Sequence, residues 1–265
     1  MMTDATAKTK SDSIAIELAG VQVTHHADPS DAVVMRDVNW RIGAGEFWVV
    51  GGRPSSGKTS LLLTAAGLNR PAGGTLRIFG QDFSSAKERD REAWCRRIGF
   101  VFEQSGRLFS HLTVARNIAL PLQYRQDSEE REIVARVEEL LTQTQLRDYA
   151  SYMPGQLGLG AQQRVGLARA LASPIEVLFL DNPLSTLSLH EGRWWLDFLR
   201  QLHKNRLVDG KPLTIVASAD DFRGWIGLAN QFAVVEGGQF RVIGGREQVE
   251  GAAEPAVREL LTSEI

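Results

Sequence analysis

Apolar and polar positions alternate over residues 14–23, the two-residue period of a half-buried strand. A second strand signal covers 32–42, with 25–31 as the intervening turn, and a third, 45–50, runs into a glycine-rich loop. After Lys58 the period lengthens, and 59–68 predicts a helix ended by Asn69, Arg70 and Pro71. Short strands are predicted over 73–78, before a turn at Gly80, and over 98–102. Residues 114–149 read as mostly helical. Pro121 is expected to interrupt a first helix over 114–118, and Ser128 to cap a longer one that ends near Leu141, with Glu129, Glu130 and Arg131 on its first turn. Next come a helix over 160–172 with an arginine-rich polar side and a nearly continuous apolar run, 175–180, of the kind found in central parallel strands. A helix over 187–202, a buried strand over 213–217, a hairpin of 229–235 with 239–243 around Gly237 and Gly238, and a helical tail over 248–261 complete the pattern. This order predicts a mixed α/β fold with a largely parallel sheet and a helical lobe inserted at about residues 80–166.

Composition narrows the function classes. A net charge of −2 gives no broad basic field, and with no basic arm or coiled-coil insertion no nucleic-acid partner is expected. A single cysteine, Cys95, excludes an intrachain disulfide and reads as a small helix residue. Residues 1–13 lack an apolar stretch and predict a disordered lead-in to a domain over 14–265. No segment reaches eighteen mostly apolar residues, so the expectation is a chain that does not span a membrane alone.

The chemistry-bearing stretch lies between strand and helix. Gly52, Arg53, Pro54, Ser55, Ser56, Gly57, Lys58 and Thr59 fit the pattern G-x-x-x-x-G-K-[ST], with Ser60 completing the cofactor-binding run. Successive backbone N–H groups and a helix N-terminus surround phosphate oxygens in such a loop. Lys58 is expected at the β- and γ-phosphates of ATP, and the Thr59 hydroxyl on Mg²⁺. Asp181 closes the apolar run Val177–Leu180, the place for the carboxylate that holds the magnesium shell.

With these features in order, the chain resembles the nucleotide-binding subunit of ABC transporters from about residue 14 to 261. Residues 97–102 with Gln104 resemble the strand leading to that family's Q-loop, and 108–114 with Asn117 continue the pattern. Gln163, Arg164, Val165 and the run GLARAL, 166–171, resemble the helix after the signature loop; Asp181, Pro183, Leu184 and Ser185 resemble the second acidic motif and the loop after it. The resemblance implies a P-loop NTPase of the ABC ATPase type, with a mixed sheet core, antiparallel N-terminal strands and an inserted helical lobe. It also implies two ATPase subunits facing head to tail, with ATP between one phosphate loop and the other's signature loop, docked on a transmembrane permease, so that this chain is expected to be cytoplasmic and peripheral on the cytoplasmic face of the inner membrane. Gln104 then senses the γ-phosphate and magnesium, with Glu103 one residue away leaving the register of that loop open. Asn117, Ala119, Leu120, Pro121 and Leu122 resemble bacterial phospholipid-trafficking ATPase subunits, with amino-acid or metal-ion uptake as alternatives.

Several positions depart from the family pattern. Asn182 stands where the family has the glutamate that orients or deprotonates water, and an amide is no general base near neutral pH. Ala219 stands at the switch histidine, and the other nearby histidines, His190 and His203, are expected to face solvent. The signature loop reads LGLGAQQ. Gly158 replaces the serine that donates to the opposite γ-phosphate, Leu159 a glycine and Ala161 a glutamine, while Gly160 keeps a backbone donor. Ser55 and Ser188 are smaller departures, and His26 or His25 is left to stack on adenine. Together these changes imply a retained grip on Mg-ATP with impaired hydrolysis. A heterodimer with a competent ATPase subunit is favoured over a homodimer. The alternatives are a soluble nucleotide-dependent regulator with the same fold and an active ATPase with compensated chemistry.

Overall fold

The computed structural model describes residues 14–27, 32–104, 107–124 and 129–262; the expected lead-in over 1–13 and the Ser128 cap lie outside them. Strands β1 (Ile14–Thr24), β2 (Val33–Gly43), β4 (Gly73–Ile78) and β5 (Gln81–Asp82) form an antiparallel sheet in the order β2-β1-β4-β5. A six-stranded sheet joins β3 (Phe47–Gly51), β6 (Ile98–Val101), β7 (Val177–Leu180), β10 (Thr214–Ala219), β11 (Gln231–Glu236) and β12 (Gln239–Gly244) in the order β12-β11-β3-β10-β7-β6. It is parallel except for β12, which pairs antiparallel with β11 as the expected hairpin. Two short strands, β8 (Leu207–Val208) and β9 (Lys211–Pro212), pair with each other.

Alternate residues of the large sheet feed two cores. Trp48, Val50, Phe179, Val216 and Val235 face the antiparallel sheet and the helix α1 (Lys58–Ala65). Phe47, Val49, Leu178, Leu180 and Ile215 face the other way, toward the helices α3 (Val114–Gln123), α4 (Glu130–Gln143), α5 (Leu159–Ala172) and α6 (Leu189–Asn205). A strand with apolar cover on both faces has no polar side, which is why β3 and β7 read as unbroken apolar runs. The small helix α2 (Glu88–Cys95) has no buried residue and so left no apolar period in the sequence. Helices α7 (Arg246–Glu250) and α8 (Pro255–Thr262) close the chain against the hairpin side.

Two expectations are corrected. Pro121 does not break α3, which runs on to Gln123. The proline sits in the last turn, where one lost backbone hydrogen bond ends little, and the start of the helix is fixed independently. Thr113 caps it, and the fully buried Asn117 side chain bonds the backbone of Phe109, Leu112 and Thr113 at 2.9–3.1 Å. His203 is half-buried; its ring lies edge-on to Phe47, with Nδ1 2.9 Å from the Leu213 carbonyl. His190 is exposed as expected.

Strand β3 ends in close packing, since a Cβ on Gly51 would overlap the Phe222 ring and the Leu260 side chain. Gly51→Ala therefore overpacks the core beneath the phosphate loop. It should lower stability by about 1–3 kcal/mol, read as a lower midpoint of urea unfolding.

Candidate nucleotide site

Strands β3, β10, β7 and β6 are neighbours and parallel, so their carboxyl ends open on one side of the sheet, where open α/β folds bind ligands. The loop after β3 can pass there only because of its glycines. A Cβ on Gly52 would come within 2.6 Å of the Val235 carbonyl, and Gly57 caps α1 with φ 101°, a left-handed conformation that side chains disfavour. The loop and α1 then present Lys58 and Thr59 to an open pocket of about 730 Å³. Lys58 is 6 % exposed and donates to the carbonyls of Gly52 (2.6 Å) and Arg53 (2.9 Å) and to Asp220 Oδ1 (2.8 Å). The Ser56 hydroxyl is buried with no hydrogen-bond partner, a donor free for a phosphate oxygen.

Asp181 follows β7 and is 3 % exposed. Its Oδ1 accepts from Thr59 Oγ1 at 3.1 Å and Ser218 Oγ at 3.0 Å. Burial pushes its carboxyl pKa up. The two hydrogen bonds and the Lys58 charge oppose that shift, and the Glu103 charge adds to it. Three carboxylates, Glu103, Asp181 and Asp220, share the pocket with the single ammonium of Lys58. That excess of negative charge suits a divalent cation and, without one, opposes a polyphosphate. Among the described residues no three His, Cys, Asp or Glu side chains form a metal cage.

Asn182 adopts φ 42°, a conformation asparagine tolerates better than most residues, and is 9 % exposed. Its N–H donates to Ser218 Oγ at 2.8 Å, and its side-chain Nδ2 donates to Glu103 Oε1 at 2.9 Å and Asp220 Oδ2 at 2.8 Å. Ser185 Oγ donates to the same Glu103 oxygen at 3.0 Å. In the loop after β6, whose register the sequence left open, Glu103 lines the pocket, whereas Gln104 is exposed, with φ 50°, and does not line it.

Ala219, the last residue of β10, is 3 % exposed and packs in the core with Phe222, on the face opposite Ser218. It gives the pocket no polar group; of its neighbours, Asp220 lines the pocket, while Ser218 is fully buried behind it and bonds Asp181 and the Asn182 N–H. These two were not assigned roles from sequence; their signal was position, at the end of the strand beside β3 and β7. His25 and His26 stack at 5.2 Å and line the pocket, with His26 Nδ1 3.0 Å from Ser60 Oγ. Burial, then the charges of His25 and Arg107, lower the His26 pKa and favour a neutral ring. Gly158 caps α5 and Gly160 lies beneath Glu191; neither lines this pocket, and Leu159 between them is half exposed.

The Asp181 shift sets a testable sign. The folded chain holds the Asp181 proton more tightly than the unfolded chain, so ionising it costs stability. That cost is absent below the unfolded carboxylate pKa of about 3.9 and grows as pH rises through it to the folded value. Asp181→Asn should raise the Tm of the nucleotide-free protein at pH 7, with the gain shrinking toward about pH 4. It should also abolish the magnesium dependence of ATP binding, read by titration with and without Mg²⁺.

Comparison with known proteins places this geometry in a family. The family model described as ABC transporter matches residues 35–185. The sulfate/thiosulfate import ATP-binding protein CysA of Caulobacter vibrioides is 37% identical over 225 residues, covering 84% of this chain and 63% of that protein. The macrolide export ATP-binding/permease protein MacB of Salmonella paratyphi A is 36% identical over 211 residues, covering 77% of this chain and 32% of that protein. The chain thus spans less than two thirds of the length of these curated relatives. Among solved structures, the dimeric post-hydrolysis state of the ATP-binding cassette MJ0796 bound to ADP and Pi superposes with a TM-score of 0.76 at 27% identity, over 87% of this chain and 99% of that one. These relatives serve sulfate import and macrolide export, so the resemblance holds at the level of the family and not of a phospholipid-trafficking branch. The chain belongs to the ABC transporter ATP-binding family.

Proposed function

We propose that this chain is the ATP-binding, energy-coupling subunit of a transporter, holding Mg-ATP firmly and hydrolysing it slowly. The observation that carries this reading is the cluster of Lys58, Thr59 and Asp181 at adjoining strand ends, with the amide of Asn182 beside it. Thr59 and Asp181 would hold the magnesium ion, which offsets the charge of the phosphates. Lys58 would exchange its contact with Asp220 for the β- and γ-phosphates, while loop N–H groups and the Ser56 hydroxyl take further oxygens. The stacked, neutral His26 ring would support the adenine.

Slow turnover rests on what surrounds this grip. Asn182 offers an amide where family members carry a carboxylate, Ala219 is turned into the core, and Gly158 has no hydroxyl for a facing γ-phosphate. Each position serves a different part of one reaction, and losing a single positioned base or donor costs roughly 100-fold or more. A head-to-tail dimer with a second ATPase subunit supports turnover best, because the partner's base then acts on ATP held in the other composite site. No helix among the described residues is long and apolar enough to cross a membrane; the translocation path would belong to a permease, on its own chain or joined to this one. The pocket contacts nucleotide groups alone; the cargo, lipid or otherwise, is chosen by that permease. Likeness to both an importer and an exporter supports this division of labour.

Lys58→Ala should weaken Mg-ATP binding by about 100-fold or more, since the phosphates lose their one buried cation. The wild-type chain should bind Mg-ATP yet turn it over at least about 100-fold more slowly than a family member with glutamate and histidine at the two altered positions. Calorimetric titration and phosphate release on the same sample check both. Equal, fast hydrolysis by the isolated chain would overturn the slow-turnover reading.

A further inference from the structure

We propose that Glu103 is the water-facing catalytic carboxylate of this site, in effect exchanged with the amide at Asn182. The inference deepens the proposed function and rests on it: it names the group through which the residual turnover runs. Position 182 has lost a carboxylate, and the structure brings one back from another strand. Glu103 follows β6, the neighbour of β7, and its Oε1 accepts from Asn182 Nδ2 at 2.9 Å and from Ser185 Oγ at 3.0 Å. The pocket that holds Lys58, Thr59 and Asp181 includes this carboxylate, while the neighbouring Gln104 stays outside.

Asn182 fits the role of a positioning residue. Its Nδ2 group spends its two hydrogens on Glu103 and Asp220, and so holds two carboxylates apart at one edge of the pocket. A glutamate at 182 could donate to neither and would add a like charge between them. The asparagine and the glutamate are therefore complementary, and each explains why the other is tolerated. Two donors orient Oε1, and the second carboxylate oxygen, Oε2, is the one assigned to the water.

In the step assigned to Glu103, a water oxygen bonds to Pγ as one of its protons passes to the carboxylate. The bond from Pγ to the bridging oxygen breaks with its electron pair remaining on ADP, and Glu103 then releases the proton to the departing phosphate or to solvent. No oxidant or further reactant is needed.

The test uses the full chain with Glu103→Gln, Gln104→Ala, Asn182→Glu and the Glu103→Gln/Asn182→Glu double variant. Mg-ATP affinity, single-turnover hydrolysis and Tm are measured on each. Glu103→Gln should keep Mg-ATP affinity within about threefold and lower hydrolysis at least about tenfold. The double variant, which restores the family arrangement of amide and carboxylate, should recover the wild-type rate or exceed it. Asn182→Glu should lower Tm about 2–4 °C more in the wild-type background than in the Glu103→Gln background, a coupling that activity does not enter. Unchanged hydrolysis in Glu103→Gln, or loss confined to Gln104→Ala, overturns the inference. So does a wild-type rate equal to the Lys58→Ala background while Mg-ATP is bound, an outcome that leaves the proposed function standing. Fast wild-type hydrolysis that Glu103→Gln removes upholds the inference and overturns the slow-turnover reading. Failure of the wild-type chain to bind Mg-ATP overturns both.

Discussion

The buried ammonium of Lys58 is the constraint around which the site is arranged. A cation so far removed from water persists only when its protons are all satisfied. Here the three acceptors come from the start of the phosphate loop, directly after β3, and from the residue after β10. That requirement ties β3 to β10 at the point where the sheet opens. It also keeps Asp220 in place, and through Asp220 the Asn182 amide and Glu103. Four adjacent strands thus meet in one chain of charge-assisted hydrogen bonds. Nucleotide binding has to replace a contact in that chain rather than fill a vacant surface.

The two hydrophobic cores make this economical. Strands β3, β7 and β10 are buried on both faces, so their register is set by packing along their whole length, and their ends are delivered to the site without slack. The same register explains Ala219. Side chains alternate across β10, so Ser218 reaches Asp181 and Ala219 enters the core. The hydroxyl of Ser218 then serves two neighbours, accepting from the Asn182 N–H and donating to Asp181.

Charge balance separates gripping nucleotide from cleaving it. The carboxylates outnumber the ammonium, and Asp181 already resists ionisation because of its burial. A divalent cation would relieve this excess, so groups placed to hold one would be maintained by electrostatics whether or not turnover is fast. Hydrolysis asks for more: one carboxylate held at a water, oriented by donors that leave an oxygen free. Moving that carboxylate from the end of β7 to the loop after β6 preserves the charge of the pocket while changing which backbone positions it.

The features legible in the chain before folding were local and contiguous. The run from Gly52 to Thr59 carries its own strand, turn and helix start. The apolar stretch ending at Asp181 announced a central strand with an acid at its tip, and these two features predicted the fold and the nucleotide. Asn182, Ala219 and Gly158 could be read as departures from the family pattern because the surrounding motifs fix their positions. The tertiary structure decided matters that turn on a single residue step or on partners far apart in sequence. Whether Glu103 or Gln104 enters the pocket depends on the turn that follows β6, in which Gln104 takes φ 50°. The link of Asn182 to Glu103, 79 residues apart, and of Lys58 to Asp220, 162 apart, exists only once β6, β7, β3 and β10 lie side by side. Local pattern reports which group a residue carries; only the assembled sheet reports what that group faces.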